Sequence, residues 1–161
     1  MKYYPLVFLL LASPLLHAED TALVKQANEV GATPCATHIG NLMKFVHPRD
    51  NYAHMATWNK ADPAKRMFQG LTSEAYTDGR QLVNVAATPN AAGTCDLSFT
   101  QIFIYQASCA QARETTFKEW KYYADINGVA LYEDPTSPSV NLAFVSSGTT
   151  CVVVKTGAMY Y

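Results

Sequence analysis

Four cysteines, at positions 35, 95, 109 and 151, are the residues with the clearest chemical meaning in this sequence. An even number of cysteines in an exported chain predicts two disulfides. If residues 95–108 form one strand, its ends lie roughly 40 Å apart, whereas bridged Cα atoms are usually less than about 7 Å apart. A Cys95–Cys109 bridge is therefore disfavoured. Two pairings remain, 35–95 with 109–151 and 35–109 with 95–151, and we favour the first.

The spacing of the remaining reactive residues predicts no metal centre and no nucleophile. His38, His47 and His54 follow one another at intervals of nine and seven residues, without the four-residue helical spacing of paired zinc ligands. We therefore expect these histidines on the surface or in loops. Ser-x-x-Lys and Gly-x-Ser-x-Gly do not occur. The sequence predicts no catalytic residue and no cofactor.

Two pairs of carboxylates are spaced closely enough to serve a glycosidase-like hydrolase, which uses one acid and one base or nucleophile. Glu74 and Asp78 share strand parity next to a predicted hairpin, and Glu114 and Glu119 belong to a predicted helix. The hairpin tip and the polar face of a helix are both solvated positions. We therefore expect exposed charges there, and a hydrolase with a dispersed site remains only the second alternative.

Tyrosine and tryptophan are frequent outside the predicted core, and interfaces use both residues as anchors. We predict that a partner-binding surface includes six of them, namely Tyr52, Trp58, Tyr122, Tyr123, Tyr160 and Tyr161.

The amino terminus predicts export. Lys2 provides a positive end, Leu6 to Leu11 form an apolar run, and Ala18 is a small residue at a suitable cleavage point. The run is too short to span a bilayer. Residues 1–18 are thus predicted to be a signal peptide, and 19–161 a single domain in the periplasm or outside the cell. Removal of the signal peptide changes the formal net charge from −1 to −2. This charge favours binding to neither nucleic acid nor an anionic membrane surface.

The periodicity of the mature chain predicts an α+β domain. Thr33 and Pro34 begin a helix that continues to Val46, and Ser108 begins a second helix with an apolar side that extends to Ala124. Asp78-Gly79 predicts a hairpin, and residues 95–105 alternate as a central strand. No repeat of fixed period is visible. We expect a disulfide-stabilised antiparallel sheet of five to six strands with two helices on one face, and a long loop over residues 49–66.

These features favour an exported, non-enzymatic binding protein that engages or inhibits a protein partner such as a hydrolase or toxin. A small exported α+β domain with two disulfides is similar in general type to the inhibitors and immunity proteins of the Gram-negative periplasm. The resemblance is one of type and includes no shared sequence motif. The alternative is a carrier of a small molecule or lipid fragment. Its pocket would lie between sheet and helices and be lined by Phe99, Phe103, Phe117 and Trp120.

Overall fold

The computed structural model describes residues 21–49, 51–77 and 79–161, so the predicted signal peptide lies outside the described residues. The chain runs through two helices, four strands, a third helix and four more strands. The helices are α1 (Ala22–Glu29), α2 (Ala36–Val46), which follows a 3₁₀ turn at Thr33–Cys35, and α3 (Cys109–Thr115). The strands are β1 (Ala53–Trp58), β2 (Phe68–Tyr76), β3 (Gly79–Pro89), β4 (Cys95–Tyr105), β5 (Lys121–Ile126), β6 (Val129–Asp134), β7 (Ser137–Ser147) and β8 (Thr150–Met159).

All eight strands form one antiparallel sheet in the order β1-β2-β3-β4-β8-β7-β6-β5. The predicted fold class, five to six strands with two helices, is therefore wrong: the protein is mainly an eight-stranded sheet with three short α-helices. The two strands that the prediction lacks are the edge strands β1 and β5. Each pairs with only one neighbour.

Edge strands are difficult to see in the sequence because little of their surface is buried. Strand β1 lies within the predicted loop 49–66, and none of its residues is fully buried. Strand β5 occupies the second half of the predicted second helix. That helix begins at Ser108 as expected, where the hydroxyl accepts a hydrogen bond from the Gln111 amide at 3.2 Å, but it ends at Thr115. A bulge between Tyr122 and Ala124 interrupts the alternation of β5.

The predicted hairpin between β2 and β3 is present, but Gly79 is the first residue of β3 and pairs with Tyr76, so it is not a central residue of the turn as expected. Strands β5 and β6 are joined at Asn127 (φ 50°) and Gly128 (φ 85°). Positive φ at both positions is the requirement of a type I′ turn, which the Asn-Gly pair meets at low cost.

The helices cover one face of the sheet. Leu23 of α1 and Ile39 and Leu42 of α2 are almost completely buried against Phe68 and Phe99 of the sheet. A second cluster forms beneath α3, where Ala112 and Phe117 meet side chains of β7 and β8. The opposite face of the sheet is covered by no described element.

The two halves of the chain repeat one plan. In each half a disulfide joins the amino end of a helix to the start of the fourth strand of a meander. Cys35 is bridged to Cys95 in the amino half, and Cys109 is bridged to Cys151 in the carboxyl half. This is the pairing that the sequence favoured. Strands β4 and β8 pair at the centre of the sheet, where Thr100 is opposite Thr156.

Each of these threonines lies five residues after the cysteine of its strand. The pair therefore marks a local two-fold axis perpendicular to the sheet, which relates the amino half (residues 21–105) to the carboxyl half (residues 109–159).

Candidate functional site

The uncovered face of the sheet carries a continuous apolar surface. Since side chains alternate between the faces of a sheet, the residues between the buried positions of β3 to β8 point away from the helices. One row of directly paired residues crosses six strands, and a second, shorter row crosses three of them. We call these nine residues the apolar patch: Leu82, Ile102, Val154, Ala143, Leu131 and Ala124 in the long row, and Ile104, Val152 and Val145 in the short row.

Three side chains of the apolar patch are exposed to solvent: Leu82 is 45% exposed, Ile104 49% and Val145 42%. The other six are half-buried. All nine side chains are aliphatic, and none carries a charge or a hydrogen-bonding group. Depletion of charged residues is the compositional mark of an interface core. The apolar patch therefore resembles the centre of a contact surface more than an ordinary solvated sheet face.

A polar row bounds the apolar patch on one side. Asn84, Thr100, Thr156 and Asn141 are paired in sequence across β3, β4, β8 and β7. The Thr156 hydroxyl donates to the carbonyl of Phe99 at 2.9 Å. Beyond this row, the same face continues with small polar residues such as Ser98. The uncovered face thus has an apolar part and a polar part.

A pocket of about 330 Å³ opens on the opposite, helix-covered side of the sheet. It lies between the carboxyl end of α2 and the strands β3, β4 and β8, and Phe45, Gln81, Gln101, Phe103 and Lys155 are among the residues that line it. We call it the α2 pocket. Its volume is near the lower limit for small-molecule sites, roughly 300 Å³.

Of the four aromatic residues predicted to line a carrier pocket, only Phe103 lines the α2 pocket. Phe99 is buried in the core, where its ring meets Phe45 edge to face at 5.8 Å. Phe117 and Trp120 pack against each other near α3, with ring centroids 6.2 Å apart. The predicted set is divided between two clusters and does not enclose one cavity.

A buried polar network lies beneath the carboxyl end of α2. His47 Nδ1 is 2.8 Å from Glu74 Oε2, and both side chains are completely inaccessible. Arg49 donates two hydrogen bonds to Glu74 Oε1, at 3.0 and 2.7 Å, and Tyr76 donates to Oε2 at 2.7 Å. His47 Nε2 lies 2.7 Å from the hydroxyl of Thr72. Every acceptor oxygen of the Glu74 carboxylate is therefore used.

The electrostatics of Glu74 follow from these contacts. Burial by itself raises the pKa of Glu74, but the hydrogen bonds from His47, Tyr76 and Arg49 outweigh burial, and the pKa lies below its ordinary value. Glu74 is thus held as a carboxylate inside the protein. Because His47 and Glu74 are inaccessible to a ligand, we assign the network a structural role.

The residue types alone do not reveal this network, and they predicted solvated positions for both Glu74 and His47. These two expectations are wrong. A signal was present in the strands: Thr72 and Glu74 share the parity of buried Phe68, and Gln81 and Gln101 share the parity of core residues in β3 and β4. Polar residues at core parity on three neighbouring strands indicate a buried polar cluster. They were overlooked because each was judged by its residue type.

The six aromatic residues predicted to bind a partner lie in three separate places. Tyr52 stacks on His47 with ring centroids 4.6 Å apart, and Trp58 packs half-buried against the core. Tyr122 and Tyr123 are each 63% exposed on edge strand β5. Tyr160 is 81% exposed after the end of β8.

Tyr161 is held in position by the turn between β3 and β4. Its carbonyl accepts hydrogen bonds from Asn90 Nδ2 at 2.7 Å and from the Thr94 hydroxyl at 2.9 Å, and its ring meets that of His38 edge to face. The structure therefore does not bring the six residues together. It leaves Tyr122 and Tyr123 as one exposed pair at the edge of the carboxyl half.

No cluster of three or more potential metal-ligating side chains occurs among the described residues. Within the same part of the chain, no helix is long and apolar enough to cross a membrane. The two disulfides indicate an oxidising, exported environment.

The chain matches no protein-family model, and neither a curated protein nor a solved structure is significantly similar to it.

Proposed function

We propose that this protein is an exported, non-enzymatic binding protein that holds or inhibits a protein partner through the apolar patch. The observation that carries the proposal is the unbroken apolar row of six paired residues on a sheet face that no described element covers. Large exposed apolar surfaces on soluble proteins mark interaction sites. We place the protein in the periplasm, where a hydrolase or toxin is a suitable partner.

The dimensions of the apolar patch favour one type of occupant. Six strands spaced about 4.8 Å apart give a strip roughly 24 Å long, and two rows of side chains make it roughly 10 Å wide. A strip of this shape fits one loop or extended segment of a partner. A second copy of the sheet, packed face to face, would also bury the amides of Asn84 and Asn141 beside the strip. We therefore propose an apolar loop of another protein.

The charge of the chain supports a protein partner over a lipid surface. The formal net charge is −1, or −2 without the predicted signal peptide, and the nine patch side chains are uncharged. Helices and surfaces that lie on membranes typically combine apolar residues with Lys and Arg, which attract anionic lipids. The apolar patch lacks those residues.

The disulfides stabilise the patch in its binding geometry. Ile102 and Ile104 belong to β4 and Val152 and Val154 to β8, and each of these two strands is bridged near its start to a helix on the other face. A surface that is rigid before it meets its partner loses less entropy on binding. This arrangement suits an inhibitor that must act without rearrangement.

The proposal is tested by affinity capture from the periplasm with the oxidised mature protein and two matched variants. Val145→Asp places a charge in the apolar patch, whereas Met55→Asp places one on the same face in β1, outside the patch. Val145 is 42% exposed and Met55 58%, so both variants should fold. We expect one stoichiometric partner, identified by mass spectrometry, that the wild type and Met55→Asp retain and Val145→Asp loses.

Binding of the purified partner is then measured by calorimetry. A charged residue within the apolar interface should weaken binding by at least about 2 kcal/mol, or roughly 30-fold. Recovery of no partner, or of a partner that Val145→Asp retains with full affinity, would contradict the proposal.

A further inference from the structure

We propose a second binding site, in the α2 pocket, that takes a carboxylate carried on an aromatic or aliphatic group, with Lys155 as its ion-pair partner. The α2 pocket opens on the helix-covered face of the sheet, and Ile104 is the one patch residue that also lines it. The proposal does not depend on the function proposed above.

The walls of the α2 pocket are suited to an apolar body. Phe45 of α2, Tyr76 of β2, and Phe103 and Tyr105 of β4 contribute aromatic rings around a volume of about 330 Å³. Aromatic walls with a few polar groups are the usual composition of sites for small organic ligands. The volume accommodates a group the size of a naphthalene or indole ring.

Lys155 supplies the positive charge of the site. Its Nζ lies 4.4 Å from the ring centroid of Phe45 and 5.9 Å from that of Trp120. No hydrogen bond or ion pair to another described residue reaches this ammonium group within the usual distances. A half-buried ammonium without a counter-ion has lost part of its hydration, which cation–π contacts replace only in part. A carboxylate in the pocket would complete its coordination.

The composition of the rest of the pocket favours an anion. Arg80 is a second basic residue of the lining, and no acidic residue is among the described residues that line it. Asp134, on β6, contributes a favourable charge to Lys155 but makes no ion pair with it within 4.0 Å. Its carboxylate is instead bonded to Thr136, whose hydroxyl lies 2.6 Å from Oδ1.

Two buried amides make the base of the pocket rigid. Gln101 Nε2 donates to Gln81 Oε1 at 2.9 Å, and Gln81 Nε2 donates to the carbonyl of Val46 at 3.1 Å. Gln101 is the direct neighbour of Lys155 across β4 and β8. The ammonium group therefore extends from a fixed platform, which links the pocket to the buried network of His47 and Glu74.

The same chemistry exists in two sources: a free aromatic or aliphatic acid, and an Asp or Glu side chain beside an apolar residue on a protein. Four probes distinguish them. 2-Naphthoate and its neutral isostere 2-naphthamide test the free acid. The blocked dipeptide acetyl-Glu-Phe-amide and its counterpart acetyl-Gln-Phe-amide test the side chain.

Binding is measured by chemical-shift titration of the isotope-labelled mature protein, with its disulfides intact. We expect 2-naphthoate to shift the resonances of Phe45, Gln101 and Phe103, and to bind about tenfold more tightly than 2-naphthamide, a difference of about 1.4 kcal/mol. Lys155→Gln should remove this advantage and leave the affinity for the amide unchanged. Lys155→Arg, which keeps the charge, should retain most of it.

Lys65→Gln is the matched control, because the Lys65 side chain is 80% exposed and its substitution should have no effect. A selective response to the Glu dipeptide alone would assign the site to a protein side chain, and a response to 2-naphthoate alone would assign it to a free acid. Equal affinity for each acid and its amide overturns the proposal, as does the absence of binding at millimolar concentration. The comparison of each acid with its amide uses the wild-type protein. It therefore tests the preference for a carboxylate even if the Lys155 variants fold poorly.

Discussion

The amino half and the carboxyl half share a helix, a four-stranded meander and an equivalent disulfide, but their interiors differ. In the amino half, helices of 8 and 11 residues cover the strands, and the interior contains a completely buried contact between His47 and the Glu74 carboxylate. In the carboxyl half, a helix of 7 residues covers a smaller cluster of aromatic rings. The comparison shows that one arrangement of strands can be stabilised by different side-chain chemistry.

The aromatic cluster of the carboxyl half consists of edge-to-face contacts. Phe117 meets Tyr105 at 5.8 Å and Phe144 at 5.5 Å, and Phe144 meets Tyr132 at 5.3 Å. Such pairs contribute about 0.5–1.5 kcal/mol each beyond their burial. They do not depend on protonation, whereas the network of the amino half does. The two halves should therefore respond differently to acid.

The largest effect is expected for Glu74→Gln. The glutamine amide keeps one acceptor oxygen but removes the charge, so Arg49 loses its counter-ion and His47 and Tyr76 lose one of the two oxygens that the donors share. Breaking a buried charged network typically costs about 3–5 kcal/mol of unfolding free energy. Because the folded-state pKa of Glu74 lies below its ordinary value, its contribution is present above the ordinary value and is lost as the pH falls through the folded-state pKa. Urea unfolding from pH 7 to pH 2 should show this loss in the wild type but not in Glu74→Gln.

The control for that variant is Glu114→Gln, since the Glu114 side chain is 75% exposed and should contribute less than about 0.5 kcal/mol. Equal destabilisation by the two variants would show that the network does not distinguish the amino half.

The disulfides test whether the two halves unfold together. Replacing both cysteines of a bridge by alanine should cost about 2–4 kcal/mol for either pair, because the bridged residues are separated by 60 residues in one half and 42 in the other. The two variants should differ in which part of the protein loses protection from hydrogen exchange. Without Cys109–Cys151, we expect hydrogen exchange to become fast in α3 and remain slow in α2, whose apolar face is buried by a larger core.

Loss of the Cys35–Cys95 bridge should instead raise exchange throughout the sheet. Uniform acceleration in both variants would show one cooperative unit and would remove the proposed difference between the halves.

A smaller effect is expected at the junction of the halves. A Cβ atom at Gly157 of β8 would lie 2.7 Å from Cε1 of Phe99 and 3.2 Å from the carbonyl oxygen of Ser139. Gly157→Ala should therefore cost about 1–3 kcal/mol through overpacking. The double variant with Phe99→Leu should lose less than the sum of the two single variants, measured by urea unfolding in a double-mutant cycle. Strict additivity would indicate that the ring is not the obstacle.

The residues of this sequence predicted local structure well where one signal acted alone. The hairpin after Tyr76, the start of α3 at Ser108, and the favoured disulfide pairing all agree with the structure. The edge strands β1 and β5 were not predicted from the sequence. Each is stabilised by pairing with a neighbouring strand, and this pairing leaves no clear pattern in the residues of the edge strand itself. Phe117, Trp120 and Ala124 are spaced like one side of a helix, yet pairing with β6 places Ala124 in strand β5.

The repeated plan and both candidate sites required the tertiary structure. The halves differ in the spacing of their equivalent cysteines, so no fixed period relates them in the sequence. The apolar patch combines alternate residues from six strands, and in each strand alone these looked like ordinary core alternation. Lys155 shares the parity of buried Val153, but only the fold places Phe45 and Trp120 around it.

The opposed threonines at the centre of the sheet define where the molecule can be divided. A cut in the short segment between β4 and α3 would yield two fragments, each with its own disulfide and four successive strands. Each fragment would expose a full-length strand, β4 or β8, as an unpaired edge, and such edges recruit other strands. The same hydrogen bonds that join the halves in one chain would thus allow the separated fragments to recognise each other, as the subunits of a two-fold dimer do.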